Sequence, residues 1–161
     1  MEINRILIGI DDSKYAEHAA EYGFELARKF NAAVGLVNIV EPVVISQATP
    51  GIDPLMGSAL QSNAFEEMEI LDIQKDISGN MVDATIKKYG EGLQVTHFTE
   101  YGSTADGIIN CSSEFAADLI VLGTHSRSGF DRLFMGSIAE DVVRHSEIPV
   151  LVVPFKEAKA R

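Results

Sequence analysis

Apolar and polar positions along the chain switch between two periods, and the switches mark the elements. Arg5–Ile10 reads RILIGI, a short and nearly continuous apolar run of the kind found in a buried strand. The period then becomes helical: Ala16, Ala19, Ala20, Gly23, Phe24 and Ala27 share one face, with Lys14, Glu17, His18, Glu21 and Arg28 on the other. Asp12 or Ser13 stands where an N-cap belongs. Ala33–Val40 (AVGLVNIV) predicts a second strand, and Gln94–Thr99, which alternates, a third. Ser103–Phe115 reads as a helix with Ala105, Ile108, Ile109 and Ser112 or Phe115 inward. Leu119–Leu122 (LIVL) predicts a fourth strand, Ser137–His145 a helix, and Pro149–Val153 (PVLVV) the last strand.

The stretch between the second and third strands is longer. Glu41–Ser62 contains Pro42, Pro50, Pro54, Gly51 and Gly57 and predicts a loop. Phe65–Tyr89 predicts a long helix whose apolar stripe is Ile70, Ile73, Ile77, Met81 and Ala84. Gly79 is a tolerated weak point within it. No internal repeat or low-complexity tract interrupts the pattern.

Strand and helix thus alternate and the chain ends on a strand. Apolar strands between amphipathic helices imply a parallel sheet covered on both faces. Right-handed crossovers favour an open, doubly wound α/β fold, with residues 1–161 as a single domain. Ligands of such folds sit beyond the carboxyl ends of the strands, where the strand order reverses.

Composition narrows the function classes. The chain has 161 residues and a 46% hydrophobic fraction, enough for a core without disulfide or metal staples. A net charge of −11 argues against nucleic acid and anionic membranes as partners. One cysteine, Cys111, excludes an internal disulfide and reads as a small core or boundary residue. The opening MEINRILIGIDD is too short an apolar run for a signal peptide, and no later run approaches a membrane span. A soluble, cytoplasmic protein is the expectation.

Two strand ends carry candidate chemistry. The first ends in Asp11-Asp12-Ser13. Capping explains Asp12 or Ser13, whereas Asp11 lies on the strand end itself. The fourth runs into GTHSRSGFDRLFMGS, with Gly123, Gly129 and Gly136, several hydroxyls, and a helix directly after it. Backbone amides in such a turn, aimed by a helix N-terminus, suit an anion. His125, Arg127 and Arg132 make this segment locally positive, which favours phosphate. A capping box over Ser137 and Glu140 would need no ligand, so both readings stand at this point. Walker A, dinucleotide-fingerprint, nucleophile-elbow and zinc motifs are all absent. The histidines His18, His97, His125 and His145 are scattered, and His18 and His145 fall on solvated helix faces.

The fourth-strand segment resembles the nucleotide-binding signature of the universal stress protein family: Gly, two residues, Gly, nine residues, then Gly followed by Ser or Thr. Here Gly123 begins it, nine residues separate Ser126 from Gly136, and Ser137 ends it. The spacing is kept, and Ser126 stands where the family usually has glycine. ILIGIDDSKYAEHAAEYGFELA and GSIAEDVVRHSEIPVLVVP are similar to the family's opening and closing halves, so the likeness spans nearly the whole chain.

The resemblance implies a five-stranded sheet of order 3-2-1-4-5, with helices on both faces. It implies that Asp11 recognises the adenosine part and that backbone groups at Ile39 hold adenine. The loop Gly123–Ser126, including His125, with Arg127 beside it and with Gly136 and Ser137, would hold ribose and phosphates. Ile10, Leu122 and Ile138 would line the pocket. The implied ligand is ATP, or AMP or ADP, with Mg²⁺ accompanying the phosphates. Serine in a left-handed conformation costs roughly 1–2 kcal/mol. Binding is therefore expected to persist at Ser126 in weakened form.

The leading reading is a nucleotide-binding regulatory protein of the stress response that is not an enzyme. ATP hydrolysis needs a positioned water, a base and charge stabilisation together, and neither a P-loop lysine nor an isolated base is present. A phospho-acceptor domain like response-regulator receivers is the alternative, since Asp11-Asp12 resembles their acidic pair. Their acceptor ends a middle strand, however, and Asp118 precedes one here. A hydrolase or nucleotidyl transferase on a related fold ranks last. A homodimer through Pro149–Val153 is also expected: this uncharged run lies at a sheet edge, Pro154 stops the ladder, and only a short charged tail follows over 155–161.

Overall fold

In a computed structural model of the chain, the structure describes residues 2–41, 59–125 and 136–155. Nine elements alternate: β1 (Arg5–Gly9), α1 (Lys14–Phe30), β2 (Ala33–Val40), α2 (Ala59–Tyr89), β3 (Val95–Tyr101), α3 (Thr104–Glu114), β4 (Leu119–His125), α4 (Ser137–His145) and β5 (Val150–Phe155). The strands form one parallel sheet of order β3-β2-β1-β4-β5, the α/β arrangement and order expected.

Strand alternation sorts the core into two layers. Ile6, Ile8, Val34, Leu36 and Val121 pack with Ala20 and Phe24 of α1 and Val82 of α2. Leu7, Val37, Ile120 and Leu122 pack on the other face with Ile108 and Cys111 of α3 and Ala139 and Val142 of α4. Cys111 is a core residue, as expected. Ser13 caps α1 by accepting the Ala16 N–H at 3.2 Å, and Asn31 ends it in the left-handed region at φ 56°.

Three expectations are corrected. First, α2 begins at Ala59, so the helix is longer than Phe65–Tyr89 and the end of the expected Glu41–Ser62 loop is helical. Residues 42–58 lie outside the described residues. Second, the expected stripe of α2 is only partly inward. Met81 packs against the core and Ile70 is half-buried, but the buried positions over 68–89 are Ser78 and Val82, while Ile73 and Ile77 are 51% and 59% exposed and Ala84 is exposed. The reason is a buried polar link. Ser78 Oγ donates to Asn38 Oδ1 at 2.6 Å, and Asn38 Nδ2 donates to the Ile10 carbonyl at 2.9 Å. Burying Asn38 of β2 requires a hydroxyl opposite it, and the helix is rotated to supply one.

Third, Pro154 does not stop the ladder: it pairs with Thr124 inside β5. The Ile120 N–H donates to the Pro149 carbonyl at 3.0 Å, so odd-numbered backbone groups of β5 face β4. Even-numbered ones face outward by alternation. Pro154 therefore lacks its N–H on the free side of the edge, where no ladder bond is lost.

Candidate functional site

β1 ends at Gly9, whereas its neighbours β2 and β4 run on to Val40 and His125. A notch results at the carboxyl edge, at the point where the strand order reverses. A cleft of about 470 Å³ fills it. Gly9, Val37, Ile39 and Leu122 form its floor, and Ile108 of α3 and Ala139 of α4 form its walls. Its rim carries Asp11 and Ser13 on one side, Glu41 and Thr104 on another, and Gly136 and Ser137 on a third.

Helices α1, α3 and α4 all begin at this edge, each offering the positive end of its dipole. The first is capped by Ser13, and the second, whose N-cap Ser103 makes no side-chain cap bond, has a carboxylate beside it. Asp11 Oδ1 accepts the Ser13 N–H at 2.7 Å, beside the Ser13 cap. Asp11, set apart from capping on the sequence pattern, thus shares in that turn. At α3, Thr104 Oγ1 donates to Glu41 Oε1 at 2.5 Å, which places a carboxylate at the helix start. Among the described residues, the start of α4 has no such neighbour. Its N-cap is Gly136, at φ 84° and without a side-chain cap. The capping box over Ser137 and Glu140 is not made, because Ser137 is already the first helical residue and the Glu140 carboxylate pairs with Arg144 at 2.8 Å. A Cβ at Gly136 would also lie 3.2 Å from Thr124 Oγ1.

Two further features follow from backbone direction. The Ile10 N–H donates to the Val37 carbonyl at 2.9 Å, so odd-numbered groups of β2 face β1. The N–H and carbonyl of Ile39 point the same way, one step past the last β1–β2 pair, Gly9 with Val37. At Gly123, a Cβ would sit 2.2 Å from the Tyr15 carbonyl oxygen. Glycine is required there for the contact of β4 with α1, whatever the cleft holds.

Ile10, Asp11, Ile39, Leu122, Gly123, Gly136, Ser137 and Ile138, all singled out from the sequence, line this one cleft. His125 ends β4, but its side chain, and the whole of Ser126 and Arg127, lie outside the described residues. Sequence reasoning missed Tyr15, Glu41 and Thr104. Glu41 had a signal, since it directly follows the second strand. Asn38 and Ser78 had none, because a lone Asn in an apolar strand and a lone Ser in a helix do not announce each other.

Other candidates lie elsewhere. Asp118 is at the opposite edge of the sheet, where its Oδ2 accepts the N–H groups of Asn4 and Arg5 at 2.8 and 2.9 Å. That position removes it as a phospho-acceptor beside Asp11. His18 packs on Tyr22 and Phe155, so its face is not simply solvated. His145 is exposed, as expected. Burial, with Glu100 and Glu114 nearby, pushes the Cys111 thiol up to about 11, which makes it a poor nucleophile. Among the described residues, no cluster suited to holding a metal ion is present, and no helix is long and apolar enough to cross a membrane.

Comparison with known proteins agrees with this layout. The model of the universal stress protein family matches residues 2–154. A universal stress protein of Methanocaldococcus jannaschii, MJ0531, is 30% identical over 157 residues, covering 95% of this chain and 84% of the relative. Among solved structures, the hypothetical protein MJ0577 superimposes with a TM-score of 0.75 at 21% identity, covering 98% of this chain and all of that one. A universal stress protein of Archaeoglobus fulgidus, solved in complex with dAMP, gives 0.56 at 20% identity, covering 94% and 98%.

Proposed function

The chain belongs to the universal stress protein family, and on that premise we propose that the cleft beyond β1 and β4 binds an adenine nucleotide, ATP with Mg²⁺ and also AMP or ADP, in a regulatory role. The observation that carries this reading is the pairing, within one cleft, of a glycine-capped helix N-terminus at Gly136–Ser137, without a side-chain cap, with a carboxylate at Asp11. The former suits phosphate oxygens and the latter suits ribose hydroxyl donors. The backbone edge of Ile39 offers one donor and one acceptor to a base, above an apolar floor. The volume is in the range of small-molecule sites. The family's dAMP-bound member supports the same ligand class.

Mg²⁺ would be held by the phosphates and water, with hard oxygen donors at Asp11 and Ser137 within the same cleft. The reading is non-catalytic. No lysine lines the cleft among the described residues, and a carboxylate oxygen of Asp11 and one of Glu41 are engaged by Ser13 and Thr104. Turnover should therefore stay well under about 1 s⁻¹.

The reading includes a homodimer, built on β5. The outward backbone groups of Val150 and Val152 point away from β4 at the sheet edge, and Pro154 ends that row of donors. The opposite edge, β3, is more polar, with His97 and Glu100 exposed. Cytoplasmic location is part of the same proposal.

The test is a calorimetric titration of Mg·ATP and of AMP into the wild type and Asp11→Ala. Binding to the wild type and at least about tenfold weaker binding to the variant are expected. Equal affinities would remove Asp11 from the site. No binding by the wild type would end the nucleotide reading.

A further inference from the structure

Three members of the apolar stripe that the sequence marks on α2, Ile73, Ile77 and Ala84, are exposed, while Ile70 and Met81 are half-buried. At 100° per residue, Ile73, Ile77 and Ala84 fall within about 40° of one another, and the buried Ser78 and Val82 lie about 100° or more away. Exposed Glu69, Asp72, Asp76 and Asp83 border the stripe on its other side, with exposed Lys87 among them and Lys75 3.7 Å from Asp72, so that this flank keeps a net negative charge. The stripe is also concave at one end. Met81 and Ala84 line a second cavity, of about 210 Å³, between α2 and the start of α1. Asp12 and Glu17 stand on its far wall. The cation in its lining, Lys88, is held by Glu17 at 2.5 Å, which keeps its ammonium protonated well above its ordinary range. An apolar floor thus runs between two acidic borders and ends in a pocket sized for one anchoring side chain.

We propose that the Ile73–Ile77 stripe of α2, with the cavity between α1 and α2 at its end, is a docking groove for a basic amphipathic segment of another protein. Charge decides the occupant. A second copy packed about a two-fold axis would bring like flank against like flank, Asp72 and Asp76 facing the same carboxylates. Such juxtaposition is unfavourable. The chain's own segment 42–58 carries Asp53 and no basic residue, so it offers the flanks nothing. A helix with apolar residues at i, i+4 and i+7 and lysine or arginine beside them matches both the floor and the borders. No described residue of α2 lines the nucleotide cleft, so the stripe does not depend on that reading, whereas the cavity at its end shares Ile10, Asp11 and Ser13 with the cleft.

The probe is a fluorescent helix-forming peptide with leucines at i, i+4, i+7 and i+11 and lysines on the flanks. A second peptide keeps the leucines and carries glutamates. Anisotropy is measured with nucleotide-free protein. The lysine peptide should bind, with affinity falling as salt rises, and the glutamate peptide at least about tenfold more weakly. Ile73→Ser/Ile77→Ser should lose at least about tenfold in affinity while keeping the helical circular dichroism of the wild type. Asp72→Asn/Asp76→Asn should bind more weakly and with a flatter salt dependence. Absence of binding by the lysine peptide overturns the proposal, and so does equal binding by the Ile73/Ile77 variant. If the wild type self-associates and that variant does not, a second copy is the occupant and the proposal fails. A large loss of unfolding stability in the same variant would mean that residues 42–58 cover the stripe, which also overturns it.

Discussion

The chain Ile10 carbonyl–Asn38–Ser78 joins the end of β1 to α2 through the core, so its removal should be felt at both ends. Ser78→Ala strips the donor from a buried Asn38 oxygen, and an orphaned buried acceptor costs about 1–3 kcal/mol. Asn38→Leu is close in volume and orphans the Ile10 carbonyl, at a similar cost of about 1–3 kcal/mol. It also releases the Ser78 hydroxyl, but a helical serine can bond to a carbonyl one turn back at little expense. The double variant therefore leaves one orphan, not two. Its loss should match that of Asn38→Leu alone, so the two single losses should exceed it by about 1–3 kcal/mol. Urea unfolding of the four proteins measures this, with the slope unchanged if only the folded state is affected. Additivity within about 0.5 kcal/mol would refute the linkage. Asn38→Leu should also weaken nucleotide binding, because the carbonyl it frees directly precedes Asp11.

Gly123→Ala should destabilise by about 3 kcal/mol or more, since the added carbon would lie 2.2 Å from backbone that cannot swing aside. Gly79→Ala, with nothing within 4 Å, should instead stabilise by roughly 0.5–1 kcal/mol in the same denaturation assay. Val152→Lys places a charge on the free β5 edge and should convert a dimer to monomer by light scattering; a monomeric wild type would refute the dimer. Ser126→Gly should tighten Mg·ATP binding if a left-handed loop conformation limits it, and weaker binding would instead make the hydroxyl a ligand group. The raised Cys111 thiol favours the protonated folded state: its contribution is whole below the unfolded value, near 9, and lost as pH rises toward about 11. Alkylation at pH 8 should accordingly be slow until denaturant is added.

The legible parts of this fold are those governed by local periodicity. Four apolar runs and one alternating run became five strands, and Asp11 and Gly136 were found because they stand at strand and helix ends, where connectivity alone fixes position. What escaped was set by partners far apart in the chain. The α2 stripe looked inward because Ile70, Ile73 and Ile77 outweigh Ser78 on any hydropathy pattern. The rotation of the helix answers to Asn38, forty positions earlier, whose buried amide needs a partner. Pro154 looked like a stop because proline forfeits an N–H. Whether that matters depends on which side of the strand the N–H would face, which the register with β4 decides. Glu41 was passed over because its role at the start of α3 rests on Thr104, sixty-three residues away.

The same long-range pairing explains how an acidic chain can offer a site to a polyanion. A net charge of −11 repels ATP at a distance, but at physiological salt the repulsion fades over about 8 Å. What the phosphates meet at contact is local. Three helix starts converge on the cleft, and two have the chain's own carboxylates beside them, Asp11 with the Ser13 cap at α1 and Glu41 on Thr104 at α3. Those two carboxylates suit groups that donate hydrogen bonds, such as hydroxyls and amines. The third start has glycine for its cap and its nearest acid, Glu140, turned to Arg144. A nucleotide has the matching polarity, with donors at one end and phosphate oxygens at the other. The order in which the helix starts are covered therefore orients the ligand as well as admitting it. An acid introduced at Ser137 would reverse the sign at the start that, among the described residues, has no carboxylate turned to it, and should abolish binding of ATP more completely than that of adenosine.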